Sequence, residues 1–522
     1  MSGARGVALM TGAALVLTGL SLLGAGMTTA SRTVENATTT AAVLVMVGDA
    51  LVVAGFVFVW FSLRAAALAG LIALGVASLP VGVGLTLASP MIRQLDSPDL
   101  ASERAANVAL GGGVIFLLLG ALFLLLAWLL SFQPGARGGL AGVGRFVGVG
   151  YGVLLFFSGL SSALVLPFSA LAAEGSDLTA LQVSVARASV AFALLVPGTL
   201  LILHGVSAAM GEDTTPSWVP PALAMALPFG LVLAAGTAAT DVAAAMAPLH
   251  LLAAALPAAA LLGLAAHGGL GWRTEGAWPT WRQVWLAVAF GMGVATAIAS
   301  VIEVLAIGGV LTGFLSYHQA FQGLATLDEV GDVFRHFARY LSDREEMALA
   351  LLLLSGVVPV VEEGAKGLGV RLLMTGATTR ASVFAIGVAV GSSFGVAEAL
   401  GYGYSAFEEG GDPWWATMLL RGGATSMHAL ATGLVGLGWY QAILRGKPGA
   451  GVLLYLAAVS IHGTWNGLIA LVGTRFVVTW EGLKNAELER GLYALTAAMA
   501  VAALSALVVF CRRLRERPEG PA

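Results

Sequence analysis

The chain has 522 residues, of which 58% are hydrophobic and 11% are charged, and its formal net charge is -3. Soluble globular proteins carry about 25% charged residues, so this composition excludes that class and predicts a polytopic membrane protein. A charge balance this close to neutral gives no basis for nucleic-acid binding. The single cysteine, Cys511, excludes an intramolecular disulfide and a cysteine-based metal site.

A membrane-crossing helix needs about 20 apolar residues. On that measure we predict an all-α polytopic membrane protein with about fourteen transmembrane helices. They lie near residues 6–28, 40–63, 66–88, 108–131, 147–171, 186–210, 219–240, 246–266, 284–312, 347–374, 382–404, 414–443, 450–472 and 491–510. Asp241 and Pro248 interrupt the alanine-rich run that holds the seventh and eighth helices.

Positive charge predicts the orientation, because Lys and Arg collect on the cytoplasmic side of a membrane protein. The strongest such signal is the C-terminal tail, which carries Arg512, Arg513, Arg515 and Arg517. An even number of helices then places the N-terminus on the same side. We expect a multi-pass protein of the cell membrane with both termini in the cytoplasm.

Three regions follow from this arrangement. Residues 1–270 form an N-terminal multi-span membrane region of unknown role. Residues 280–510 hold six to seven helices and nearly all the ionisable groups within predicted helices, and we expect them to form a catalytic bundle. Residues 511–522 form a basic cytoplasmic tail.

Four successive predicted helices of the C-terminal region carry polar residues near their middles. An ionised side chain at the bilayer centre costs at least about 2.5–3.5 kcal/mol, so such residues usually mark function. The structural alternative for any one of them is a hydrogen bond between helices. In chain order they are Glu362, Glu363 and Lys366; Phe394 and Glu398; Arg421 and His428; and His462 and Asn466.

Helical spacing groups these side chains into stripes. Glu362 and Lys366 are four residues apart, so they share a face and can form an ion pair. Glu363 points about 100° away from Glu362. If each helix turns its polar stripe inward, the four stripes enclose a pocket of carboxylates, imidazoles and an amide within the bilayer.

Such a pocket has the groups that peptide hydrolysis requires. A carboxylate in a low-dielectric site can act as general base near neutral pH, and Glu362 or Glu363 fits that role. His462 and Asn466 can donate to the oxyanion that develops on the scissile carbonyl.

Zinc is the alternative. His428, His462 and a carboxylate such as Glu398 form a nitrogen and oxygen ligand set that suits Zn²⁺ and leaves a position for water. The ligands would have to come from separate helices, because the sequence lacks a compact His-Glu-x-x-His helix.

These motifs resemble those of the PrsW family of intramembrane proteases, which is distantly similar to the CAAX-prenyl-protease and bacteriocin-processing group. The resemblance lies in Glu-Glu-x-x-Lys at 362–366, Phe-x-x-x-Glu at 394–398, Arg421 followed by His428, and His-x-x-x-Asn at 462–466. It covers roughly residues 284–510, and the N-terminal helices depart from the compact family pattern.

The resemblance implies a bacterial membrane-embedded endopeptidase that acts on membrane-anchored proteins. It implies that Glu362 and Glu363 are catalytic and that Glu398, His428 and His462 complete the site. Family members are usually described as metalloproteases, although their relatives include glutamate-type enzymes without metal. Members with a known role cleave an anti-sigma factor.

Two other functions account for the same residues. A proton-coupled secondary transporter would use buried Glu, Lys and His, but it predicts related sites in two halves of the chain. A catalytically silent scaffold would retain the motifs for packing alone.

Overall fold

The computed structural model describes residues 149–150, 152–153, 155–160, 178–210, 219–239, 242–267, 278–303, 351–374, 378–408, 414–473 and 486–516. Every regular element in these residues is helical, which confirms the predicted all-α class. The predicted helices before residue 147 lie outside the described residues. The count of fourteen helices therefore stays a prediction.

We number nine helices within the described residues. They are α1 (Leu178–Met210), α2 (Ala222–Ala238), α3 (Ala243–Ala265), α4 (Trp281–Ala289, continued by a π-helical turn at Phe290–Ala295), α5 (Val358–Leu373), α6 (Arg380–Glu408), α7 (Trp414–Trp439), α8 (Pro448–Gly473) and α9 (Ala486–Glu516). The alanine-rich run does divide into two helices. The break falls between α2 and α3, whereas Pro248 lies inside α3.

Six stretches in the described residues are long and apolar enough to cross a membrane, so the chain is a multi-pass membrane protein. They are Ser184–Ser207, Ala245–Ala265, Trp281–Glu303, Arg380–Tyr404, Pro448–Leu471 and Arg490–Leu514. Helix α5 is not among them, because it has 16 residues and carries Glu362, Glu363, Lys366 and Arg371.

Contacts divide the chain into two compact units. One comprises Met1–Ser131, Ala136–Gly144 and Ser300–Leu353, and the other comprises Phe132–Gly135, Arg145–Ala299 and Leu354–Ala522. The second unit holds nearly all the described residues, including the nine numbered helices.

Helix α6 is the central helix of this second unit. Of its span, 89% is buried, against 22% of the spans in α8 and α9. It packs against α3, α5 and α7, and α7 packs in turn against α8 and α9. Large apolar side chains on the outer helices are exposed, as expected of surfaces that face lipid; examples are Leu227 and Leu231 on α2 and Val501 on α9.

Glycines set the distance between α6 and α7. Gly387, Gly391 and Gly395 recur every four residues and therefore lie on one face of α6. A Cβ on Gly391 would overlap the carbonyl oxygen of His428, and one on Gly387 would come within 2.5 Å of the carbonyl oxygen of Thr432. The two backbones consequently touch along this face, as small residues permit in membranes.

Helix α5 begins with an irregular turn. A π-helical turn at Leu352–Val357 leads directly into α5, and Pro359 lies in the first turn of that helix. Proline has no N–H, so it is tolerated at a helix start but leaves a preceding carbonyl without its intrahelical donor. This irregularity lies immediately before Glu362 and Glu363.

Candidate active site

Helices α5, α6, α7 and α8 bring the predicted polar side chains into one cluster. Helix α5 packs against the other three, and five ionisable residues within the cluster are at least 96% buried. They are Glu362, Glu363, Lys366, His428 and His462. The four polar stripes therefore converge as predicted, and this convergence holds the charges away from lipid.

Lys366 lies at the centre of the cluster. Its Nζ is 2.6 Å from Glu363 Oε1, 3.3 Å from Glu362 Oε2 and 2.9 Å from His428 Nδ1. The i,i+4 spacing predicted the contact of Lys366 with Glu362, which is present, but not its contact with Glu363. The i,i+3 neighbour Glu363 is also within reach of a long lysine side chain, and it is the closer of the two.

Glu363 is held through both carboxylate oxygens. Oε1 contacts Lys366 and lies 3.0 Å from His462 Nδ1, while Oε2 accepts a 3.1 Å hydrogen bond from Thr432 Oγ1. Thr432 was not among the predicted site residues. Its position four residues after His428, on the same face of α7, is the signal that could have found it.

Glu398 has a different set of partners. Its Oε2 accepts a 2.6 Å hydrogen bond from an Arg421 terminal nitrogen and lies 2.6 Å from His428 Nε2. Both Glu398 and Arg421 are partly exposed, with 16% and 13% of their side chains accessible. Arg421 also lies over the ring of Tyr402, 4.6 Å from its centroid. The pair therefore forms the edge of the cluster.

The contacts of His428 determine its tautomer. A lysine ammonium only donates hydrogen bonds, so His428 Nδ1 accepts from Lys366. The proton of the neutral ring is then on Nε2, where it is donated to Glu398.

His462 lies beside His428. Their rings meet edge to face, with centroids 4.7 Å apart. His462 Nε2 faces Glu362 Oε2 at 3.7 Å, which is beyond direct hydrogen-bond distance. Phe394 closes the apolar side of the cluster. Its ring lies 4.4 Å from Lys366 Nζ, and its centroid is 5.4 Å from that of His428.

Asn466 contacts the irregular turn before α5, and its predicted oxyanion role stays a prediction. Its Nδ2 donates a 3.1 Å hydrogen bond to the carbonyl of Leu354. That carbonyl lies five residues before Pro359, within the π-helical turn, where an intrahelical donor would come from residue 359. Asn466 therefore supplies the hydrogen bond that Pro359 cannot, and it ties α8 to the start of α5.

One group of described residues has the composition and geometry of a metal site. Glu362, His428 and His462 each offer one ligand atom, and these atoms lie within 4.8 Å of one another. The other ring nitrogens of the two histidines face Glu398 and Glu363, as metal-bound histidines commonly face carboxylates. These residues fit Zn²⁺. The carboxylate of the group is Glu362, whereas the zinc hypothesis placed Glu398 there.

An apolar cavity of about 630 Å³ lies beside the cluster, between α2, α3, α7, α8 and α9. Its wall includes Gly422 and Gly423, which follow Arg421 directly, and Trp465 of α8. The lining hydroxyls of Ser426 and Thr496 donate to carbonyls of their own helices. The lining therefore suits an apolar occupant.

The fold and the cluster together define a polytopic membrane protein with a buried site of glutamates and histidines contributed by separate helices. Residues 279–504 match the model of the PrsW family, described as PrsW family intramembrane metalloproteases. Over these residues the chain is similar to that family, and the similarity indicates a peptidase domain. The match supports the protease interpretation over the transporter and scaffold alternatives.

The family match begins shortly before α4 and ends within α9, so α1, α2 and α3 lie outside it. No curated protein and no solved structure matched the chain.

Proposed function

We propose that the chain is an intramembrane endopeptidase that hydrolyses peptide bonds of membrane-anchored protein substrates within the bilayer. The observation that carries the proposal is the buried cluster in which Glu362, Glu363, His428 and His462 surround Lys366. Charged groups buried at this depth are costly, and here each one contacts a partner from the same constellation.

Glu362 is the general base in this proposal. Glu363 is committed through both oxygens to Lys366, His462 and Thr432. The contacts of Glu362 Oε2 are longer, at 3.3 Å to Lys366 Nζ and 3.7 Å to His462 Nε2. A carboxylate whose ion-pair contact is longer is stabilised less in its charged form by that cation and can accept a proton from a water more readily.

The two histidines act through carboxylates that orient them. Glu363 holds the Nδ1 side of His462, which leaves Nε2 facing Glu362 and the reacting groups. Glu398 holds Nε2 of His428 and is itself held by Arg421. The oriented His462 can donate to the developing oxyanion from Nε2 once that nitrogen has taken up a proton. Asn466 is a positioning residue in this scheme.

If the enzyme is metal-dependent, Glu362, His428 and His462 are the residues that would hold the ion. Zinc would then polarise the scissile carbonyl and activate the attacking water. Glu363 and Glu398 would orient the two imidazoles in that form as well.

The proposal extends to the membrane topology and the location of the chain. We propose about fourteen transmembrane helices, with a six- to seven-helix catalytic bundle in residues 280–510, and a cell-membrane location with cytoplasmic termini. Residues 1–270 form an N-terminal multi-span region of unknown role, and residues 511–522 form the basic tail. Regulatory proteolysis of an anti-sigma-like substrate fits the family resemblance.

The test is cleavage of a membrane-anchored reporter by variants of the full chain. We expect Glu362→Gln to lower the cleavage rate by about 100-fold or more, because the general base is lost. Glu363→Gln should lower it less, because the glutamine oxygen can still accept from Lys366 and His462 while its amide nitrogen donates to the Thr432 hydroxyl.

Thr464→Ala is the matched control on α8. Thr464 is exposed, and its hydroxyl donates to the Ser460 carbonyl of the same helix. This variant should cleave at the normal rate. Full cleavage by a folded, inserted Glu362→Gln protein would refute the assignment.

A further inference from the structure

Lys366 has the surroundings of a bound cation. Its side chain is fully buried, and two carboxylates and an imidazole nitrogen lie within 3.3 Å of its Nζ. The face of the Phe394 ring lies on a further side at 4.4 Å, which adds a cation–π contact. Oxygen ligands, a nitrogen ligand and an aromatic wall thus surround one positive charge.

The ammonium uses the atoms that a metal ion would need. Two members of the candidate metal group, Glu362 and His428, contact Lys366 Nζ directly. His428 Nε2 is engaged by Glu398, so Nδ1 is the nitrogen that faces the cluster. The Nδ1 lone pair that would bind a metal is the one that accepts the lysine hydrogen bond.

Charge and space both oppose simultaneous occupancy. A divalent ion ligated by Glu362 and His428 would lie against the ammonium, and two cations so close repel strongly in a buried site. Glu363 would attract both cations, but its 2.6 Å contact already belongs to Lys366. A metal can therefore bind at full strength only after the lysine side chain withdraws.

We propose that Lys366 is the resident cation of this site and that it competes with a divalent metal for Glu362 and His428. The lysine thereby determines whether the cluster operates with its own ammonium or with a metal ion. Metal binding is independent of whether the chain is a protease, and only the consequence for catalysis rests on the proposed function.

The experiment is a zinc titration of the purified full-length chain in competition with a fluorescent chelator. We expect Lys366→Met to bind one Zn²⁺ at least about tenfold more tightly than the wild-type chain, a change of the size seen when groups around a metal are altered. Adding His462→Ala should abolish the gain, which assigns the ion to this cluster. Lys447→Met removes an exposed lysine on the loop before α8 and should leave zinc affinity unchanged.

Lys366→Met leaves two buried carboxylates without their cation, and this variant can fail to fold for that reason. A second variant therefore keeps the charge balance of the cluster. Lys366→Gln combined with Glu363→Gln removes one charge of each sign, and its matched control is Glu363→Gln alone. We expect the double variant to bind zinc more tightly than the control and to gain more thermal stability from added zinc. Equal affinities in this pair, or a gain that survives His462→Ala, would overturn the proposal. The proposal would also be overturned if the wild type bound zinc tightly and substitutions of Lys366 left that affinity unchanged.

Discussion

At the scale of single residues, Asn466 illustrates how a motif residue can serve the backbone of another helix. It donates to the Leu354 carbonyl. Residue 359 would otherwise donate to this carbonyl, but it is a proline and has no N–H. The same bond fixes the position of α8, and so of His462, relative to Glu362 and Glu363. Asn466 therefore contributes to the site by positioning its parts.

This role predicts a coupling between Asn466 and Pro359. Asn466→Ala should lower the free energy of unfolding by about 1–2 kcal/mol, because it leaves a carbonyl without a donor. In a Pro359→Ala background the cost should be smaller, since the new N–H can take over that carbonyl.

Thermal unfolding of the four proteins measures this coupling. Asn466→Ala should lower the cleavage rate by much less than the roughly 100- to 1,000-fold that removal of an oxyanion donor causes. An equal cost of Asn466→Ala in both backgrounds would show that the two residues are independent.

The site could be predicted from the sequence to the level of its residue types. Four polar stripes on successive apolar helices indicated convergence, and Glu362, Glu363, Lys366, Glu398, His428 and His462 do meet. The ion pair of Lys366 with Glu362 was predicted and is present, but most of the other pairs in the cluster could not be predicted. Whether Lys366 contacts Glu363, or Glu398 contacts His428, depends on helix rotations that the spacing within one helix does not determine.

At the scale of helices, the glycine face of α6 sets the geometry of the site. It allows α7 to approach until Gly391 meets the carbonyl of His428, and this approach brings His428 to Glu398. A side chain at position 391 would push the two helices apart and lengthen the 2.6 Å contact between His428 Nε2 and Glu398 Oε2.

Alanine substitutions along α6 test this interpretation. Gly391→Ala should destabilise the protein by about 1–3 kcal/mol, as overpacking commonly does, and should also reduce cleavage. Gly401→Ala is the matched control, because a Cβ at that position meets nothing within 4 Å. The control should be neutral or slightly stabilising, since alanine favours helix over glycine. Equal stability of the two variants by thermal unfolding would contradict close packing at Gly391.

The predicted helices of the described region correspond to observed ones, because long apolar stretches bounded by polar residues are strong signals. The π-helical turns at Phe290–Ala295, Leu352–Val357 and Tyr440–Leu444 were not predicted. Their residues are as apolar as the α-helices around them, and only the packing of the neighbouring helices selects the wider turn.

At the scale of the whole molecule, helix α3 connects residues outside the family match to the helices that carry the candidate site. His250 of α3 is buried, and Trp414 Nε1 of α7 donates to its Nδ1 at 3.2 Å. The proton of the ring is then on Nε2, which lies 3.2 Å from the Leu400 carbonyl of α6. One side chain thus joins three helices, two of which carry residues of the candidate site.

His250→Ala should therefore destabilise the protein by about 1–3 kcal/mol, because it leaves a buried tryptophan N–H and a carbonyl without their partner. Thr237→Ala on α2 is the control, since the Thr237 hydroxyl is exposed and donates within its own helix. Thermal unfolding of the purified proteins provides the comparison. If both variants unfold at the same temperature as the wild type, the contact of α3 with α6 and α7 through His250 does not contribute to stability.

The glycine face between α6 and α7 also has a consequence for motion. Helices that pack through side chains can slide past each other when those side chains change rotamer. Helices whose backbones are in contact have no side chains between them that could adjust in this way. Helices α6 and α7 should accordingly move as one body, carrying Glu398 and His428 with them. Whatever opening admits a substrate must then come from the helices around this pair. A spin-label distance between α6 and α7 would stay constant throughout the reaction cycle.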